Sequence, residues 1–194
     1  ARDPLPLKGI SIGNGIINET VQGSGSFVKY QRLHRLIPQD AEPTSDIEAR
    51  LLMAANLGYV PNVYDYRLQE QECCGCAAYN YKTWGDWMLM EDVTRALNVC
   101  GHAGVKAFAA CNAGCIDMPG FDKGDALASP GALGRALEAG IPVTLYYGKQ
   151  DTACDYIGGF LAASQLRWRG AEAFAGAPLE DLMHSDAVAG QMKR

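Results

Sequence analysis

A chain of 194 residues fits one domain of ordinary size, long enough to bury roughly 70% of its unfolded surface. Hydrophobic residues make up 48% and charged residues 20%, the profile of a soluble globular protein, and a net charge of −5 argues against nucleic acid as the main partner. No apolar run approaches the roughly 20 residues that span a bilayer, and the opening Ala1-Arg2-Asp3-Pro4 has no apolar signal core.

In chain order, Leu7-Lys8-Gly9-Ile10-Ser11-Ile12 reads as a short strand closed by the turn-forming Gly13-Asn14-Gly15. Asn18-Glu19-Thr20 is an N-glycosylation acceptor, which matters only in the secretory pathway. The character changes near Gly23. Ser45-Asp46-Ile47-Glu48 is a capping box, and its helix runs through Leu51, Leu52 and Ala55 to a stop at Gly58. Residues 59–90 are rich in aromatics, cysteine and turn formers and read as irregular. Together 23–95 predicts an insertion rather than a regular βα unit.

Cys73, Cys74 and Cys76 crowd together among seven cysteines. Three readings stay open: disulfides of a secreted protein, small buried hydrophobes, or a zinc site, which lacks a second ligand pair and nearby histidines. The odd count leaves at least one cysteine free or paired outside this chain. Farther on, Ser129 is a good N-cap and Pro130 suits the first helical position, with Leu133, Ala136 and Leu137 at helical spacing and Gly140 as the stop. Ile141 through Tyr147 is then a β-branched and aromatic strand ending at Gly148. A helix, a short joint and a nearly all-apolar strand predict an α/β fold with a mostly parallel central sheet and covering helices.

Asp151 lies just beyond the carboxyl end of that strand, where open α/β sheets build their sites. There it either orients a histidine, as the acid of a catalytic triad does, or is a solvated loop aspartate. Gly9-Ile10-Ser11-Ile12-Gly13 also fits Gly-x-Ser-x-Gly, and Ser11, Asp151 and His184 fall in triad order. The physics opposes that set. A nucleophile elbow needs a full strand before its serine and a helix directly after, whereas Pro4 and Pro6 leave little strand and Gly13-Asn14-Gly15 is a poor helix start. His184 is expected as an exposed loop histidine, His34 and His102 as surface or core residues, and Trp84, Trp87 and Trp168 as core.

Gly148-Lys149-Gln150-Asp151-Thr152-Ala153-Cys154 resembles the segment that bears the catalytic acid in serine carboxypeptidases. Further pieces fall in that family's order: Leu7 to Gly15, Asn62-Val63-Tyr64-Asp65, Cys111-Asn112, Leu166-Arg167-Trp168-Arg169-Gly170, and Ala189-Gly190-Gln191-Met192-Lys193, similar to the strand before the histidine loop. The chain departs from the family at Lys149, where aspartate is usual, and at Asp155, where asparagine is usual. Gly158-Gly159-Phe160-Leu161-Ala162 stands where Gly-Asn-x-x-Trp is usual. Lys149 is close enough in sequence to pair with Asp151 and compete with a histidine.

The resemblance implies one incomplete α/β-hydrolase domain over 1–194, with 23–95 as a helical, cysteine-containing lid. It implies Asp151 as the triad acid, and Ala153 and Cys154 in the pocket for the side chain beside the scissile bond. Cys154 matches a cysteine that stays unpaired, and Cys111 one that pairs with an upstream Gly-Gly-Pro-Gly-Cys motif. Triads on this fold run serine, acid, histidine. The nucleophile and the motif that binds the substrate's terminal carboxylate are therefore expected before Ala1, and the histidine after Arg194, so the 194-residue chain alone is expected to be inert. No metal or organic cofactor is implied. The implied partners are the C-terminus of a peptide substrate, the rest of the polypeptide or a complementary chain, and a second copy in a homodimer. The compartment implied is the secretory pathway, vacuolar or lysosomal, or the extracellular space, with Asn18 glycosylated. The alternative is a non-catalytic relative that keeps the fold as a binding or structural component.

Overall fold

Strands β1 (Ile10–Gly13) and β2 (Val143–Tyr146) pair in parallel, Ile10 opposite Val143 and Gly13 opposite Tyr146, although the chain between them is long. The computed structural model describes residues 6–70, 81–98 and 125–194. In both strands burial alternates, as a period of two residues requires. Ile10, Ile12, Val143 and Leu145 turn inward onto Ile17, Leu133, Ala162 and Leu166, while Ser11, Thr144 and Tyr146 face outward. Among the described residues this inward face is the one that is covered.

Helices supply that cover. α1 (Ser24–Leu33), α2 (Asp46–Leu57), α3 (Tyr81–Met88) and α4 (Glu91–Ala96) precede α5 (Asp125–Glu138), with α6 (Tyr156–Ser164) and α7 (Ala171–Gly176) after β2. α5 and α6 pack on β2, and α1 packs on both α6 and α2. Ile157 of α6 belongs to a core of Tyr30, Leu36, Ile37 and Met53, whereas Ala162 of the same helix belongs to the core beneath the strands. α6 therefore joins the two cores. Finally β3 (Glu180–His184) and β4 (Ala187–Met192) form an antiparallel hairpin through Ser185, which takes a positive φ of 53°.

Local chemistry explains the boundaries that the sequence predicted. Ser45 accepts from the Glu48 amide at 3.2 Å, and Gly58 closes α2 with φ 76°. Gly140, also at φ 76°, closes α5, with the Ile141 amide returning to the Ala136 carbonyl at 2.9 Å. The start of α5 differs from expectation. It lies at Asp125, with Pro130 inside. Pro130 forfeits one ladder bond near the helix start, and the helix-forming Asp125-Ala126-Leu127-Ala128 extends the element ahead of it.

The sequence singles out no helix over α1, and α3 contradicts the irregular reading of 59–90. α1 has no side-chain N-cap and buries Ser26, Phe27, Tyr30 and Gln31, a face too polar to read as a core stripe. α3 contains Gly85 and two tryptophans, weak helix formers. Trp84 and Trp87 are exposed rather than core, at 45% and 51%. Trp168 does pack against the core beneath the strands. Cys73, Cys74, Cys76, Cys111 and His102 lie outside the described residues.

Candidate active site

Asp151 is 3% exposed although it sits in a loop. Its own backbone makes the first part of its environment: Oδ1 accepts from the amides of Ala153 at 2.7 Å and Cys154 at 2.9 Å. On the other side Oδ2 accepts from the side-chain amide of Asn14. Burial pushes the carboxyl above its ordinary range. The Cys154 and Ala153 amides, which favour the charged form, act against that, and the negative charge of Asp155 adds to it.

The loop is clasped from outside by residues 62–66. Val63's carbonyl accepts from the Thr152 amide at 2.8 Å, the Ala153 amide at 3.0 Å and the Thr152 hydroxyl at 2.9 Å. Tyr66's amide donates to Gln150 at 3.2 Å. Asn62, 1% exposed, makes the clasp rigid: its Oδ1 accepts from the amides of Tyr64 and Asp65 in an Asx turn. Asp65 is gripped by Arg67 through Nε at 2.8 Å and Nη2 at 2.6 Å, which holds its carboxyl below the usual range. Sequence reading placed Asn62-Val63-Tyr64-Asp65 only as a resemblance. Its Asx-forming asparagine was the available signal for a fixed turn.

Below the loop, the Tyr30 hydroxyl donates to the Lys149 carbonyl at 2.8 Å. His34 lies in the same aromatic cluster, its Nε2 3.2 Å from the Tyr156 hydroxyl and its Nδ1 3.3 Å from that of Tyr66. Burial and then the Lys149 charge hold His34 below its ordinary pKa. The Lys149 ammonium thus acts on His34, and among the described residues it makes no ion pair with Asp151, so the expected competition is absent.

The departures near α6 have structural roles. Asp155 caps α6, Oδ1 accepting from the Gly158 amide at 2.8 Å and Oδ2 from the Ser26 hydroxyl at 3.0 Å. A Cβ on Gly158 would stand 2.7 Å from Ser26 Oγ, and one on Gly159 would stand 2.2 Å from the Tyr147 ring. The paired glycines let α6 meet α1 on one side and Tyr147 on the other.

A shallow cleft of about 550 Å³ opens over the ends of β1 and β2, lined by Asn14, Tyr64, Tyr146, Tyr147, Gly148 and Asp151. Ala153 and Cys154 are half-buried beside it in sequence. Cys154 is a free thiol whose pKa burial raises, with Asp151 and Asp155 adding to the rise. Ser11 lies mid-strand opposite Thr144, with no helix until Ser24. His184 ends exposed strand β3, whose substantial packing among the described elements is with β4. The structure does not assemble Ser11, Asp151 and His184 into a triad. Asn18 is half-buried in a turn, its amide bonded to Gln22 Oε1 at 3.0 Å.

This architecture has known counterparts. Kex1(delta)P, a prohormone-processing carboxypeptidase from Saccharomyces cerevisiae, matches with a TM-score of 0.61 at 19% identity, over 97% of this chain and 46% of that one. The two share an α/β-hydrolase fold. A carboxypeptidase Y homolog A from Trichophyton verrucosum is 30% identical over 121 residues, which is 62% of this chain and 21% of the relative. A pheromone-processing carboxypeptidase kex1 from Penicillium rubens is 27% identical over 203 residues, 89% of this chain and 33% of the relative. The chain spans less than half the length of these relatives. A family model described as serine carboxypeptidase matches residues 51–194, which include the clasp, β2 and the Asp151 loop; the chain belongs to the serine carboxypeptidase family.

Proposed function

We propose that the chain supplies the acid of a Ser–Asp–His triad in a serine-type carboxypeptidase that removes single residues from peptide C-termini. One observation carries this reading: a buried carboxylate at the carboxyl end of a parallel strand, held by two backbone amides and facing a cleft. In that role Asp151 receives an imidazole N–H, fixes the tautomer and stabilises the imidazolium formed when histidine takes the serine proton. The serine oxygen attacks the peptide carbonyl, and the histidine then protonates the leaving amine. Because burial raises the Asp151 pKa, activity is lost as pH falls through that value and the carboxyl is neutralised.

In this reading serine and histidine come from further polypeptide, the 194-residue chain alone is inert, and 23–95 forms a lid. Ala153 and Cys154 line the pocket beside the scissile bond, without metal or organic cofactor. The protein enters the secretory pathway, toward a vacuole, lysosome or the outside, with a glycan on Asn18 and disulfides among the remaining cysteines. A second reading is a non-catalytic relative. It keeps the fold as a binding or structural component, and is favoured by the departures from the family at Lys149 and across Gly158-Gly159-Phe160-Leu161-Ala162.

The test is fluorophosphonate labelling of the intact protein, with release of C-terminal residues from a peptide followed in parallel. The enzyme reading expects labelling at a serine other than Ser11 and loss of about 10⁴-fold in kcat in Asp151→Asn. A protein that neither labels nor releases residues is the non-catalytic relative. Labelling at Ser11 would falsify the divided triad.

A further inference from the structure

We propose that Asn14 is a positioning residue: its side chain fixes the Asp151 carboxylate so that one acceptor position, on Oδ2, remains to receive an imidazole N–H. This rests on the reading of Asp151 as the triad acid. An ionised carboxylate offers about four acceptor positions. Two on Oδ1 are taken by the Ala153 and Cys154 amides and one on Oδ2 by Asn14, so a single position is left at the cleft.

The orientation of the Asn14 amide follows from its second contact. The Gly148 amide can only donate, and it lies 3.2 Å from Asn14 Oδ1, so Nδ2 must face the carboxylate. Asn14 itself takes a left-handed φ of 49°, which asparagine tolerates better than most residues. Its backbone extends the β1–β2 ladder by donating to the Tyr146 carbonyl at 2.9 Å. The next carbonyl, of Gly15, is held by the Tyr147 hydroxyl at 2.8 Å and Gln22 Nε2 at 3.0 Å. The turn is therefore braced on both sides of the residue that touches the acid, as preorganised sites require.

Two variants separate donor chemistry from bracing. Asn14→Gly suits the positive φ and removes both side-chain contacts. Asn14→Asp keeps the shape and an acceptor for Gly148 but sets carboxylate against carboxylate. In the intact protein, carbon NMR titration of the Asp151 carboxyl should show a rise of about one unit in Asn14→Gly and a larger rise in Asn14→Asp. Fluorophosphonate labelling should slow about tenfold or more in both, with acidic Asn14→Asp the slower. An Asp151 pKa unchanged within about 0.2 units in Asn14→Gly overturns the proposal, as does wild-type labelling by Asn14→Asp, since a mere brace on Gly148 survives that change. If the wild type never labels, the carboxypeptidase reading falls and the imidazole's place falls with it. Wild-type labelling with an unmoved titration sinks the role of Asn14 alone.

Discussion

The flank of helices α1, α2 and α6 and the β3–β4 hairpin are opposite kinds of structure. In the first, Tyr30 is 0%, Met53 1% and Ile37 2% exposed, and the Tyr30 hydroxyl ties α1 to the acid's loop. In the second, every residue of β3 is exposed, and Leu182, Met183 and Val188 stand 46%, 54% and 58% in solvent. The hairpin holds chiefly by its own ladder and by Lys193, which donates to the Ala175 carbonyl and lies over the Phe160 and Phe174 rings. A two-stranded hairpin alone is marginal in water. The difference teaches where positional accuracy resides: the loop that carries Asp151 is tied to the helical flank through Tyr30, whereas among the described residues the strand pair and the hairpin each present an open face.

That contrast is broken most directly at Met53. Met53→Ala should cost about 2–5 kcal/mol in urea unfolding. The upper half of that range is expected, because the Gln31 amide loses its thioether contact while Gln31 Oε1 already lacks a partner among the described residues. A cost under about 1 kcal/mol would mean the helical core is looser than its burial indicates. Gly159→Ala comes next. Alanine gains up to about 1 kcal/mol of helix preference, but its Cβ displaces the Tyr147 ring, and overpacking of this kind costs about 1–3 kcal/mol. A net loss of about 1 kcal/mol is expected by urea unfolding. Stabilisation instead would show that the ring yields freely, and that the tyrosine contact to Gly15 is not rigid.

Which parts were legible from sequence follows from how local their chemistry is. Ser45, Gly58 and Gly140 announce helix ends because caps are decided within a few residues, and β2 (Val143–Tyr146), shorter than the predicted 141–147, follows with Asp151 beyond it from composition and position. Asn14's grip on Asp151 spans a separation of 137 residues, and no local pattern encodes it. The Val63 clasp on Thr152 is equally remote, at 89 residues. α1 was missed because a helix with buried Ser26 and Gln31 resembles an amphipathic stripe poorly; its polar face is explained only by Asp155 and Met53 opposite.

The smallest effect is the sharpest probe of the open side. Leu182→Ala in the hairpin removes a side chain that is half in solvent and outside both cores, so urea unfolding should move by no more than about 0.5 kcal/mol. Leu182 pairs with Gly190, which offers no side chain across the ladder, so little packing is lost within the hairpin itself. Measured on the 194-residue chain, a larger cost would contradict the exposed hairpin. Measured on the intact protein, a cost of about 2 kcal/mol would mean that additional polypeptide or a second copy covers this face. The difference between the two measurements therefore reports burial of Leu182 by further polypeptide or a second copy, independently of any catalytic readout.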